Sequence, residues 1–336
     1  MDMKYKILKS NSIHNFRRTD YLYENYCVNK NMSADSFVHH VKDIYYKHDA
    51  ILYSPNYVQT QKRKFKDLQK ILPPDCYAIV DIGAGTGESY KIFKMIDLHF
   101  EKYYFIEPFS KMIEQFDYKD DKKVVLLNDY FESESCLGLL KKEAKPKLYV
   151  MCAVLRTLNN INEFGDILKE NMQTGDRLFL PVEPNNNYFG KYFKYLKPFI
   201  LMKRLLLKLM GIFSINKTKS ETVITEKDPL SHALSELKEN KIVNEAFTRD
   251  MIYAIVYCNN FLCWKNIDVP EKYNEGFFDI KEFAKRAECE IEKIDVEKYL
   301  YGFSFGVRFI DQIIEKVLNI LFPNKGSTIS VLIRKL

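Results

Sequence analysis

The sequence predicts an α/β protein built on a doubly wound, mostly parallel sheet, and three observations predict it. The β-branched run Ala78-Ile79-Val80-Asp81-Ile82 leads into a turn with glycines at 83, 85 and 87. From 76 to about 183, strand-length apolar runs alternate regularly with helix-length segments, the pattern that buries parallel strands between helices. At 336 residues and 46% hydrophobic content, the chain can bury one such domain plus a cap or insertion.

Residues 1–74 read as helices preceding the sheet. One runs from Ala34 to Tyr46 around Phe37, Val38, Val41 and Ile44, and the next from Tyr57 to Leu72 before Pro73-Pro74. The run at 78–82 is a buried parallel strand, and the glycines past it let backbone approach a ligand with no Cβ in the way. A helix from Glu88 to about Ile96 then aims its first N–H groups at whatever the turn holds. The spacing discriminates between cofactors. A dinucleotide turn needs its third glycine three residues after the second, whereas these glycines are spaced by two and Glu88 follows, an anion unsuited to a pyrophosphate. Glu88 and Asp81 suit a cationic ligand such as S-adenosylmethionine (SAM), which carries a sulfonium and an ammonium.

The segment resembles motif I of the class I SAM-dependent methyltransferases, of the small-molecule type 11 and 12 kind, and the likeness continues in order downstream. Lys102 to Pro108 resembles the second strand, with Glu107 about twenty residues past Gly87; Val124 to Tyr130 the third; Lys147 to Leu155 the fourth; Arg177 to Val182, after Thr174-Gly175-Asp176, the fifth. Gly326 to Lys335 is similar to the antiparallel last strand of that family. The resemblance implies a seven-stranded Rossmann-like methyltransferase sheet with SAM as cofactor. It implies cofactor contacts from Asp81, Gly83, Ala84, Gly85, Gly87 and Ala153. Glu107 would accept from the ribose hydroxyls, Asp129 would meet the adenine amino group, and Tyr130 or Phe131 would cover the ring. The N-terminal helices resemble a lid, with Tyr45, Tyr46 or Tyr53 able to close over SAM; plain packing is the alternative for each. Many small-molecule members carry a Glu-His pair after the fourth strand, where this chain has Arg156-Thr157. The catalytic base is therefore open, with Glu183 at the end of the fifth strand and His232 in the cap as candidates.

The sheet pattern breaks at 184, and residues 184–270 read as a helical insertion. Its first part carries Lys191, Lys194, Lys197, Lys203, Arg204, Lys208, Lys217 and Lys219 with no acid between Pro184 and Ser220. The net charge of +6 is thus a local device. Cations interrupt the run from Phe193 to Phe213 too often for a membrane span. Two readings of 191–213 stay open: an interfacial helix on anionic membrane or a lipid-linked substrate, and a cap whose leucines pack while the lysine stems lie on the surface. Nucleic acid is disfavoured by the thin aromatic interleaving. Helices are expected near Ser231–Glu239 and Ile242–Leu262. Residues 271–336 complete the sheet: Phe277 to Phe283 starts a helix, Ala287 to Ile291 leads into the sixth strand, and Ile310, Ile313, Ile314, Val317, Leu318 and Leu321 form one apolar stripe. The division is therefore lid 1–74, SAM-binding core 75–183, cap 184–270 and completion of the core 271–336.

Seven cysteines show no paired spacing, and Cys152 and Cys289 fall in expected core elements, so reduced thiols in a cytoplasmic protein are expected. The N-terminus lacks an apolar signal region, and His39-His40 and His48 have no matching ligand cluster, so no metal is expected. The function expected is SAM-dependent methyl transfer to an oxygen, secondarily a nitrogen, of a small or lipid-linked acceptor, in the cytoplasm or peripherally at a membrane. A non-catalytic SAM-fold binding or scaffold protein is the alternative, and an NAD-dependent oxidoreductase the third reading.

Overall fold

The computed structural model describes residues 18–49, 55–72, 77–155, 158, 161–184, 228–256, 267, 279–297, 316–318, 320 and 328–336. Three helices come first, α1 (Arg18–Tyr26), α2 (Ala34–His48) and α3 (Pro55–Ile71). Strands and helices then alternate through β1 (Tyr77–Ile82), α4 (Glu88–Met95), β2 (Phe100–Ile106), α5 (Ser110–Glu114), β3 (Val124–Leu127), α6 (Glu134–Leu140), β4 (Lys147–Val150), α7 (Ile161–Asn171) and β5 (Arg177–Pro184). After the insertion's α8 (Pro229–Glu239) and α9 (Arg249–Val256) come α10 (Ile280–Arg286), β6 (Cys289–Glu297) and β7 (Thr328–Lys335).

The strands make one seven-stranded sheet in the order β3-β2-β1-β4-β5-β7-β6. β1 pairs in parallel with β2 and β4, β2 with β3, and β4 with β5, while β7 runs antiparallel to both β5 and β6. The sheet is therefore mixed, with one reversed strand. Every residue of β1 is buried, because helices cover both faces. Alternation sends Val80 and Ile82 to one apolar cluster with Tyr149 and Phe164, and Tyr77 and Ile79 to another with Phe93 and Phe65.

The helices outside the sheet divide in a way the sequence did not show. α1 and α2 share an apolar cluster with α8 and α9, through Leu22, Phe37, Val41, Leu237, Phe247 and Ile255. Segments some 200 residues apart in sequence therefore build one cap. By contrast, α3 packs on the core side, its Phe65 edge-on to Phe93 at 4.6 Å. The cap helices start on ordinary capping chemistry: Ser33 accepts from Ser36 N–H, and Asp228 from Leu230 N–H ahead of Pro229.

Several expected boundaries move for identifiable reasons. β3 stops at Leu127 because the Asn128 amide turns to donate to the carbonyls of Glu107 and Pro108, at 3.0 and 3.1 Å. β4 stops at Val150, and Ala153 soon follows in the left-handed region at φ 65°. Ile242 and Val243 do not open a helix: Val243 bridges Cys27, and Val28 N–H donates to Ile242 C=O at 2.9 Å, which ties the two halves of the cap together. Cys152 is half-buried rather than core, whereas Cys27, Cys136 and Cys289 are buried, and all four are free thiols. The run 191–213, Arg156-Thr157, Tyr53, residues 257–262 and most of the 310–321 stripe lie outside the described residues. Among the described residues, no helix is long and apolar enough to cross a membrane.

Two glycines with opposite surroundings give a test of the fold. Gly87 sits at φ 79°, and a Cβ there would meet Phe116 Cδ2 at 2.1 Å. Gly138 lies inside α6 with nothing within 4 Å of a built Cβ. Gly87→Ala should destabilise by about 2–4 kcal/mol through strain and overpacking, and Gly138→Ala should stabilise by about 0.5–1 kcal/mol. Denaturant unfolding of the two variants measures both; effects of the same sign would contradict the turn geometry.

Candidate cofactor site at the switch point of the sheet

Strand order reverses between β1 and β4, and α/β sheets leave a crevice at the carboxyl ends of such strands. Here a cavity of about 840 Å³ opens there, within the range that holds a cofactor-sized ligand. Gly83 and Gly85 line it from β1, Glu107 to Phe109 from β2, Tyr130 and Phe131 from beyond β3, and Cys152, Ala153 and Val154 from beyond β4. The cap closes it with one stripe of α2 and with Tyr253 and Val256 of α9.

Backbone bonds fix the turn. Gly83 and Ala84 N–H both donate to Ile106 C=O, at 2.9 and 3.1 Å, and Gly87 N–H donates to Ala84 C=O at 2.9 Å. Gly83, Gly85 and Gly87 all take positive φ. A Cβ on Gly83 would meet the Val154 side chain at 2.6 Å, so the turn is a cradle that side chains would fill.

Glu107 joins this turn to the next. Its Oε2 accepts from Gly85 N–H at 2.8 Å and its Oε1 from Phe109 N–H at 3.0 Å. The residue is 4% exposed. Burial pushes its carboxyl up to about 7, against the two backbone N–H bonds that favour the anion; Asp81 adds to the rise and Lys42 opposes it. Each oxygen keeps a lone pair for a ligand hydroxyl.

The other expected site residues divide between the cavity and its surroundings. Tyr130 and Ala153 line the cavity alongside Gly83, Gly85 and Glu107. Ala84 and Gly87 shape the turn without facing the cavity. Asp129 caps its own loop, accepting from Tyr130 N–H at 2.8 Å and Ser135 O–H at 2.7 Å, and the Ser135 bond holds its carboxyl low. Asp81 falls on the α4 face of β1, where the Tyr103 hydroxyl donates to Oδ2 and Oδ1 has no hydrogen-bond partner among the described residues. Burial pushes Asp81 up to about 7 as well. Neither base candidate reaches the cavity. Glu183 is buried in β5 opposite Ile329, and His232 lies on the exposed face of α8 with its ring 5.7 Å from that of His48.

Several lining residues were missed by sequence reasoning. His39 Nδ1 is 2.5 Å from Tyr130 Oη, its ring stacks on Phe109 at 4.9 Å, and burial lowers its pKa, which favours neutral imidazole. Of the tyrosines expected to close over the cofactor, Tyr46 lines the cavity and meets Phe109 edge-on at 5.1 Å, while Tyr45 turns into the cap cluster. Tyr57 Oη lies 3.0 Å from Cys152 Sγ. Lys42 is buried beside them. The signal was present: Asp35, Val38, His39, Lys42 and Tyr46 recur at i, i+3, i+4, i+7 and i+11, a second stripe on α2 beside its apolar one. Among the described residues, no cluster of three or more His, Cys, Asp or Glu is placed to share a metal ion.

The reversed β7 between β5 and β6, with the glycine turn at the switch point, makes this an α/β Rossmann-like sheet with one antiparallel strand. No family model and no curated protein matches the chain. Solved structures that resemble it include a SAM-dependent methyltransferase from Anabaena variabilis, at 9% identity and TM-score 0.46 over 89% of this chain and 95% of that one. A SAM-dependent methyltransferase from Leishmania major aligns at 12% identity and TM-score 0.37 over 50% of this chain and 70% of that one. The plantazolicin methyltransferase BpumL, in complex with a pentazolic desmethylPZN analog and SAH, aligns at 14% identity and TM-score 0.37 over 90% of this chain and 97% of that one.

Asp81 gives a pH test of this geometry. Its folded-state pKa of about 7 lies above the ordinary 3.8, so between those values the folded chain holds more protons than the unfolded one. Its contribution to stability therefore falls as pH rises through that window. Asp81→Asn keeps an acceptor for Tyr103 and removes the buried charge. Relative to the native chain, the variant should be more stable at pH 8 than at pH 5 by on the order of 1–3 kcal/mol. Equal differences at both pH values in thermal unfolding would contradict it.

Proposed function

We propose that the chain is a SAM-dependent methyltransferase, acting on an oxygen or secondarily a nitrogen of a small or lipid-linked acceptor. The observation that carries the reading is Glu107. A buried carboxylate lines the cavity at the end of β2, tied to the glycine turn by Gly85 N–H, with lone pairs left for paired hydroxyls such as those of a ribose. The residues present fit the cofactor. The glycines leave room for a close backbone approach, Glu107 supplies a charge-assisted acceptor, and Phe109, Tyr130 and Phe131 offer rings for a base. SAM bound there would supply an electrophilic methyl group on a sulfonium.

Methyl transfer from a sulfonium is an in-line displacement, so positioning can account for much of the catalysis. The cap contributes to it, since residues of α2 and α9 line the cavity opposite the strand ends. On the β4 and α7 side the lining is mostly apolar, with Val154, Leu158, Phe164 and Ile167, which suits an acceptor with an apolar body. The lipid-linked form of the proposal draws on the basic apolar sequence at 191–213.

Calorimetric titration with SAM and NAD tests the cofactor, and release of S-adenosylhomocysteine tests the transfer. Glu107→Ala should weaken SAM binding by about 1.5–3 kcal/mol, 10- to 100-fold or somewhat more. Gly85→Val should abolish binding, because a β-branched residue resists the positive φ of 60° found there. NAD binding in place of SAM, or native SAM affinity in both variants with unchanged circular dichroism, would contradict the assignment.

A further inference from the structure

An ammonium that opens on a cavity without a protein partner is a ready donor to an anionic group of a ligand. Lys42 is 8% exposed on the cavity side of α2. It has no hydrogen bond or ion pair among the described residues. It is also the one lysine or arginine among the described residues that line the cavity; the acids there are Asp35, Glu107, Glu132 and Glu163. Glu107 feels its charge, but both Glu107 oxygens are already held by backbone N–H groups and no ion pair forms between the two. A ligand carboxylate would give this ammonium the hydrogen-bonded partner that the protein itself does not supply, while the remaining lone pairs of Glu107 stay free for ligand hydroxyls.

We propose that Lys42 holds the carboxylate at the amino-acid end of the cofactor, so that the cap, and not the sheet alone, completes the cofactor site. The inference rests on the reading of the cavity as a SAM site. The cofactor is a better source of the carboxylate than the acceptor. Lys42 acts on Glu107, at the glycine-turn side of the cavity, while the opposite β4 and α7 wall is mostly apolar. The contact has a consequence for the cap. α2 already touches the core through His39 with Tyr130 and through Tyr46 with Phe109. A carboxylate bound by Lys42 adds a third tie that only an amino-acid-bearing ligand can make.

The test compares S-adenosylhomocysteine with 5′-methylthioadenosine, which keeps the adenosine and the thioether but has neither carboxylate nor amine. Calorimetry on the native chain and on Lys42→Met and Lys42→Arg should give three results. The native chain binds S-adenosylhomocysteine more tightly than 5′-methylthioadenosine. Lys42→Met loses about 10- to 100-fold for S-adenosylhomocysteine and nothing for 5′-methylthioadenosine. Lys42→Arg retains most of the S-adenosylhomocysteine affinity. Met matches the lysine stem and should pack well; Lys42→Gln repeats the comparison if the Met variant fails to fold. Unchanged S-adenosylhomocysteine affinity in Lys42→Met would overturn the proposal. Equal losses for both ligands would also overturn it and make Lys42 a support for Glu107. A native chain that binds neither ligand would contradict the SAM reading itself, a failure distinct from these two.

Discussion

One buried carboxylate joins the two strand ends on which the cavity depends. Glu107 accepts from Gly85 N–H with one oxygen and from Phe109 N–H with the other, so it fixes the β1 turn against the β2 turn across a parallel pair. Its burial is unfavourable to the anion and pushes the group up to about 7. A site that serves only the fold would not need such a group, since an apolar pair costs less than an ion withdrawn from water. The arrangement makes sense as preorganisation: the acceptor is already fixed where ligand hydroxyls would arrive, and the cost is met in the folding of the empty protein.

The cap is the second constraint. Because α1 and α2 share their apolar cluster with α8 and α9, the N-terminal helices cannot be treated as an independent lid. Leu237 and Ile255 from the insertion help to hold the face of α2 that Phe37 and Val41 bury. The adjacent stripe of α2 is thereby presented to the cavity with His39 against Tyr130 and Phe109. A change at the α2–α8 contact therefore reaches the cavity without touching it, through the position of α2.

Much of the core was legible in the sequence because the signals were local. β-branched runs bounded by glycine and acid gave the strands, and the motif order gave the sheet in which β7 runs antiparallel between β5 and β6. Where the reading and the structure part, the cause is geometric. The motif position of Asp81 suggested a ligand contact, yet alternation along β1 puts it with Ile79 and Tyr103 on the α4 face. Glu183 is expected at the end of the fifth strand and His232 in the cap, and the fold carries both away from the cavity. Lys42 and any role for His39 other than metal ligation are hidden in the sequence because the apolar stripe of α2 is the stronger pattern. Which polar stripe faces a cavity depends on the partner helices, and the partners of α2 come from residues 229–256.

The central claim is that Glu107 is the ligand acceptor, and proton linkage tests it most directly. Free Glu107 titrates near 7, and hydroxyl donors from a ligand favour the ionised form, so binding should drive its proton off. S-adenosylhomocysteine titrated at pH 7 in buffers of different ionisation enthalpy should release about half a proton per site from the native chain, falling toward zero at pH 9. Binding with no net proton release at pH 7, or with proton uptake, would contradict the account.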